Sequence, residues 1–132
     1  MDAWRPRVAV VAGVTLCVDW TSKIWAVDPQ ANDAYALGSL SGPGVLLALV
    51  SITLLVAIAV YTGRRHQRYH ASGVGMLVGG GLANALERLF SGAVTDFIVV
   101  GSVVANLADA AIVLGIAMLT TDYVRAARAV DL

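Results

Sequence analysis

Residues 94–109, "VTDFIVVGSVVANLAD", are almost wholly apolar, yet Asp96 stands near one end, Asp109 closes the other, and Asn106 lies between them. Whether this stretch is a membrane span or a connection between two spans decides the fold. A two-helix hairpin brings the two acids to similar depth only if residues 97–104 form a short loop or a re-entrant segment. The surrounding composition sets the scene. Of 132 residues, 58% are hydrophobic and 14% charged, against about 25% charged in soluble domains, and the mean hydropathy is +0.77. That balance belongs to an integral membrane protein.

Working outward, the hydropathy predicts an all-α membrane protein, a single domain of four transmembrane helices with short external loops. The spans are expected at about residues 8–25, 44–62, 72–90 and 103–121. The first is interrupted near its end by Asp19 and Lys23, the second is uninterrupted, and the third is rich in glycine. Small residues such as Gly79, Gly80, Gly81 and Ala83 imply close helix packing. Four spans place both termini on one side. Arg5, Arg7, Arg64, Arg65, Arg68, Arg125 and Arg128 put seven of the nine basic residues there, so the positive-inside rule makes both termini cytoplasmic. Lys23, Arg88, Asp19, Glu87, Asp96 and Asp109 then gather near the external surface. A cleavable leader is the rival reading of the start, but Leu16 is large for a position before a cleavage point, so the first span is expected to be retained.

Other features receive plainer readings. The net charge of zero suggests no nucleic-acid partner. Cys17, the single cysteine, excludes an intramolecular disulfide and is read as a packing residue. His66 and His70 have the i, i+4 spacing of a metal pair but no cysteine or carboxylate nearby in sequence. They are read as solvated loop residues, and no metal is expected. Asp28, Asp33 and Asp122 are read as solvated charges, "RRHQRYH" as a topogenic segment touching anionic lipid, and Trp4, Trp20 and Trp25 as interfacial anchors.

The acids remain. An ionised carboxylate at membrane depth costs about 2.5 to 3.5 kcal/mol on insertion scales, which makes a functional role the default reading. Two carboxylates close together cannot both ionise easily and share a proton near neutral pH. That is aspartic-protease chemistry, in which one carboxylate deprotonates water while its protonated partner polarises the scissile carbonyl. Asn106 and Asp109 are three apart, about one helical turn, and Asn84, Glu87 and Arg88 share a helix face by the same spacing. The plainer alternative is that these groups only pair with one another for folding.

Four blocks, in order, carry a resemblance: "VDWTSK" (18–23), "NDAYALG" (32–38), "GGGLANALERLFSGAVTDF" (79–97) and "ANLAD" (105–109). They resemble the motifs of the lipoprotein signal peptidase, or signal peptidase II, family. The resemblance implies a four-span bacterial aspartic endopeptidase of the cytoplasmic (inner) membrane. It would cleave a prolipoprotein just before a diacylglyceryl-modified cysteine, near the outer membrane face, with no metal or organic cofactor. It assigns catalysis to Asp96 and Asp109. It assigns substrate binding to Asn84, Arg88, Asn106 and Asn32, together with Asp19, Lys23 and Glu87, the last standing where the family usually has Asp. Only eight residues separate Lys23 from Asn32, where the family has a longer segment that forms an external β-sheet cradle. That shortening motivates the alternative of a catalytically inactive relative, binding a lipidated or helical membrane partner as a subunit of a larger complex. A proton-coupled transporter would instead need its acids near the bilayer midplane.

Overall fold

The computed structural model describes residues 3–32, 34–35, 40–41, 44–66 and 69–129, and is mostly helical. Four helices account for the bulk of it: α1 (Trp4–Ile24), α2 (Gly44–Arg64), α3 (Ala71–Ser91) and α4 (Leu107–Arg128). Among the described residues, α2 and α4 are long and apolar enough to cross a membrane by composition alone. Helix α1 falls short because of Asp19, Lys23 and its basic start, and α3 because Asn84, Glu87 and Arg88, together with its glycines, lower its hydropathy.

Helix α3 is the centre of the bundle and packs against α1, α2 and α4, while α1 and α4 also touch. Its triple glycine makes this possible. Successive residues on a helix point about 100° apart, so Gly79, Gly80 and Gly81 face three different neighbours. A Cβ at Gly79 would stand 2.5 Å from the Ala12 carbonyl oxygen of α1, one at Gly80 2.5 Å from the Ala108 carbonyl oxygen of α4, and one at Gly81 2.7 Å from the Leu55 side chain of α2. Backbone contacts backbone on two of those faces. The interior is correspondingly small, with Val74, Ala83 and Ala85 on α3 fully buried. Large side chains point outward instead. Val10, Val14 and Leu49, Leu54, Val113 and Leu114 are all more than half exposed, the inverse of a soluble bundle.

Short paired strands supplement the helices, so the description as all-α is incomplete. Strand β1 (Gln30–Asn32) pairs antiparallel with β4 (Val94–Asp96), setting Gln30 opposite Asp96 and Asn32 opposite Val94. Strands β2 (Ala34–Tyr35) and β3 (Leu40–Ser41) form a second pair. The third, β5 (Ile98–Val100) with β6 (Val103–Ala105), is a hairpin turning at Gly101 and Ser102, with Gly101 at φ 64°. A glycine of positive φ is what a two-residue hairpin turn requires. The fourth helix therefore starts at Leu107, not near residue 103. Val103 to Ala105 are β-branched or small residues already committed to the hairpin, and Asn106 supplies the cap.

At the opposite end, the termini and the basic connection are tied together. Trp4 Nε1 donates to the Tyr69 carbonyl at 2.7 Å. The backbone N–H of His70, which precedes α3, donates to Asp122 Oδ2 at 2.8 Å, and His70 Nδ1 meets Asp122 Oδ1 at 2.6 Å. Asp122 is thus buried, and it is a helix-joining residue, not a solvated charge. Cys17 is exposed on α1 and does not pack in the interior. Asp33 and Arg68 lie outside the described residues. Replacing Asp122 by Ala leaves the His70 amide unpaired and should cost about 2 kcal/mol of stability, read as a lowered unfolding temperature in detergent, with the site at the other end unaltered.

Candidate active site

Where β4 runs out of α3 and α4 begins, the chain makes two sharp changes of direction, and both acids sit at them. Helix α3 ends at Gly92, whose φ of 79° is the left-handed conformation of a helix stop, its N–H bonded to the Arg88 carbonyl at 3.0 Å. Four residues later Asp96 closes β4. The β5–β6 hairpin then returns the chain to the same end of the bundle, with Phe97 N–H donating to the Ala105 carbonyl at 3.0 Å. The short connection that the sequence permitted between the two acids is this hairpin.

Asn106 is extended (φ −134°, ψ 179°) and caps α4. Its Oδ1 accepts from the Asp109 N–H at 2.9 Å, and Asp109 Oδ2 accepts from the Asn106 N–H at 3.1 Å. This reciprocal box satisfies two donors that a helix start leaves unpaired. Asn106 is therefore the cap itself and not one turn into the helix. Its amide also reaches the other acid: Nδ2 donates to Asp96 Oδ1 at 2.6 Å and to Asn84 Oδ1 at 3.2 Å. Asn84 Nδ2 in turn donates to Asp109 Oδ1 at 2.9 Å. Two asparagines thus bridge two aspartates, each amide hydrogen-bonding one carboxylate and one joining the other.

The pair is asymmetric. Asp96 and Asn106 are each 1% exposed, whereas Asp109 is only half-buried and so is the carboxylate open to an incoming group. Arg88, one turn beyond Asn84 on α3, is buried at the same end. Behind the asparagines lies a charged cluster. Lys23 Nζ stands 2.7 Å from Asp19 Oδ2, 2.7 Å from Glu87 Oε2 and 3.3 Å from Asn84 Oδ1. Asp19 Oδ1 accepts from the Ala108 N–H at 2.8 Å, and Glu87 Oε1 from the Thr95 N–H at 3.0 Å. Asn32 places its backbone in β1 opposite Val94; its side chain lies outside the described residues. Among the described residues, no three His, Cys, Asp or Glu side chains converge as metal ligands.

The expected set is therefore brought to one end of the bundle with a division of labour that spacing alone did not reveal. The bond between Asp19 and the Ala108 amide spans 89 positions, and no local pattern announces it. The capping box was the signal available in sequence, since Asn followed three residues later by an acid is a helix-start signature.

Comparison with known proteins gives the family. The family profile described as signal peptidase (SPase) II matches residues 11–125. A lipoprotein signal peptidase of Methylocella silvestris is 34% identical, over 93% of this chain and 90% of its own length. One from Rhodopseudomonas palustris is 28% identical, over 88% of this chain and 91% of its own. In fold, a solved bacterial membrane enzyme superposes with a TM-score of 0.77 at 19% identity, covering 89% of this chain and 87% of that one. A match running the length of the bundle, through every block that builds the two-asparagine, two-aspartate cluster, makes the chain a peptidase belonging to the signal peptidase II family.

Proposed function

We propose that this protein is an aspartic endopeptidase of the bacterial cytoplasmic membrane. It removes the signal peptide of a prolipoprotein by cutting beside a diacylglyceryl-modified cysteine near the outer membrane face. The bridging of Asp96 and Asp109 by Asn106 and Asn84, in a polar cluster that is closed around Asp96 and open at Asp109, supports this reading. All four helices cross the bilayer in this account. Each has 21 or 22 residues, and at 1.5 Å per residue that gives roughly 30 Å, the thickness of the hydrocarbon layer. The exposed valines and leucines face lipid, both termini lie in the cytoplasm, and the dyad is held near the external face.

In the proposed reaction, the two carboxylates hold one proton between them. One takes a proton from water as that oxygen bonds to the scissile carbonyl carbon, and the other donates its proton to the carbonyl oxygen. Collapse of the tetrahedral intermediate returns a proton to the departing amine. The asparagine amides fix the carboxylate orientations, because each aspartate has a committed oxygen. Arg88, buried at the same end of the bundle, is the residue assigned in this reading to the substrate backbone and its lipid-bearing end.

Presenting the purified protein with one precursor in two forms, diacylglyceryl-modified and unmodified, tests this directly. The modified form should be cut to a product beginning at the lipid-bearing cysteine, as read by mass, and the unmodified form left intact. Equal cleavage of both would remove the lipid from recognition. The bridge makes a further expectation. Asn106→Ala removes the cap and the donor to Asp96 together, and should lower kcat by about 100-fold through misplacement of the dyad and stability by about 2 kcal/mol, the latter read by thermal unfolding.

A further inference from the structure

We propose that Lys23 is a positioning residue for the dyad, acting through Asp19 and Glu87, each of which binds Lys23 with one carboxylate oxygen and holds with the other the backbone N–H immediately preceding one of the two aspartates. The inference rests on the dyad reading given above and concerns what sets its geometry. Asp19 holds the amide of Ala108, the residue before Asp109, and Glu87 holds the amide of Thr95, the residue before Asp96. A third acceptor, Asn84 Oδ1, belongs to the asparagine whose amide group binds Asp109. One ammonium group is thus the common reference point for β4 and α4, the two elements that carry the acids.

Burial separates this role from a substrate contact. A lysine ammonium has three N–H donors, and three acceptors stand around Nζ at 2.7, 2.7 and 3.3 Å. Two of these are hydrogen bonds and the contact with Asp19 is an ion pair, and with the Lys23 side chain 8% exposed and that of Asp19 not at all, Lys23 has little surface left for substrate. Asp19 and Lys23 lie at i, i+4 on one face of α1, which presents cation and anion side by side to the α3–α4 junction. Without the cation, the buried carboxylate of Asp19 and the part-buried one of Glu87 face each other unneutralised, an unfavourable arrangement. They separate, and each takes with it the backbone it holds.

The test uses the full-length protein cleaving diacylglyceryl-modified prolipoprotein, with cleavage by the unsubstituted protein as the prior requirement. If that protein does not cleave, the functional reading fails and not the positioning. Given cleavage, Lys23→Met should lower kcat by about 100-fold, the cost of roughly an ångström of misplacement, with KM changed less than about threefold since no substrate contact is lost. The decisive companion is the triple variant Asp19→Asn, Lys23→Met, Glu87→Gln. It is neutral throughout but keeps the two carbonyl oxygens that accept from Ala108 and Thr95. Its kcat should recover by at least about tenfold over Lys23→Met, and it should fold even if Lys23→Met does not. A Lys23→Met protein with undiminished kcat, a loss confined to KM, or a triple variant that fails to fold or cleaves no better than Lys23→Met would each overturn the proposal.

Discussion

Asp109→Asn, and separately Asp96→Asn, should each lower kcat for prolipoprotein cleavage by about 10⁴-fold, the upper range for loss of a general acid–base group and the range in which coupled residues fail as a unit. The reason is specific to the bridge. The two oxygens of Asp109 accept separately, one from the Asn106 N–H and one from Asn84 Nδ2; the single oxygen of asparagine keeps the first of these, and with it the α4 cap, and gives up the second. What it cannot do is hold or release the shared proton. Stability should consequently fall by only about 1 kcal/mol, the loss of one hydrogen bond, and unfolding temperatures measured alongside turnover will separate lost chemistry from lost structure. For Asp96, 1% exposed and bonded to Asn106 Nδ2, the same substitution presents either an oxygen or an N–H to that amide. Its unfolding temperature should fall further than that of Asp109→Asn. Turnover within tenfold of the unsubstituted protein in either variant would remove that aspartate from the mechanism.

The second large effect is structural. Gly80→Val should destabilise the protein by about 3 kcal/mol or more and abolish cleavage with it. The Cβ would stand 2.5 Å from the Ala108 carbonyl oxygen and 3.1 Å from Ile112. Ala108 belongs to the first turn of α4, beside Asp109, so relief requires moving the element that carries the dyad. Gly81→Ala is the milder comparison, because the three atoms nearest its Cβ all belong to the Leu55 side chain, the first at 2.7 Å, and a rotamer change can yield there at a cost of about 1 kcal/mol. The thermal unfolding difference between the two variants measures how far backbone contact, and not glycine itself, organises α3. Equal effects would contradict the geometry.

Much of this was legible before the structure because the signals were chemical and local. The hydropathy marked the four apolar segments that became helices, and Asp96, Asn106 and Asp109 stood out because lipid-facing sequence has little use for such groups. The ordered blocks gave the family. What stayed hidden depended on long-range partners. Nothing near Asp122 says that it binds the His70 amide 52 residues away, and a lone acid in a helix near the terminus reads as solvated. Asp19 and Glu87 read as substrate ligands or simple ion pairs because the amides of Ala108 and Thr95, like all backbone donors, leave no mark in sequence. The residues after Asp96 misled for another reason. "FIVVGSVVA" is as apolar as a span, and only Gly101, a single turn residue, betrayed a hairpin. Strand pairing by β1 was similarly unmarked, since Gln30 to Asn32 form a strand only when β4 lies alongside.

On the proposed reading, the bridged aspartates make this chain an active signal peptidase and not a binding relative. Incubating the purified protein, and beside it the Asp96→Asn, Asp109→Asn double variant, with a diacylglyceryl-modified prolipoprotein separates the two. The unsubstituted protein should cleave the precursor and the folded double variant should not. Cleavage by both, or by neither while both are folded and bind the precursor, would contradict that reading.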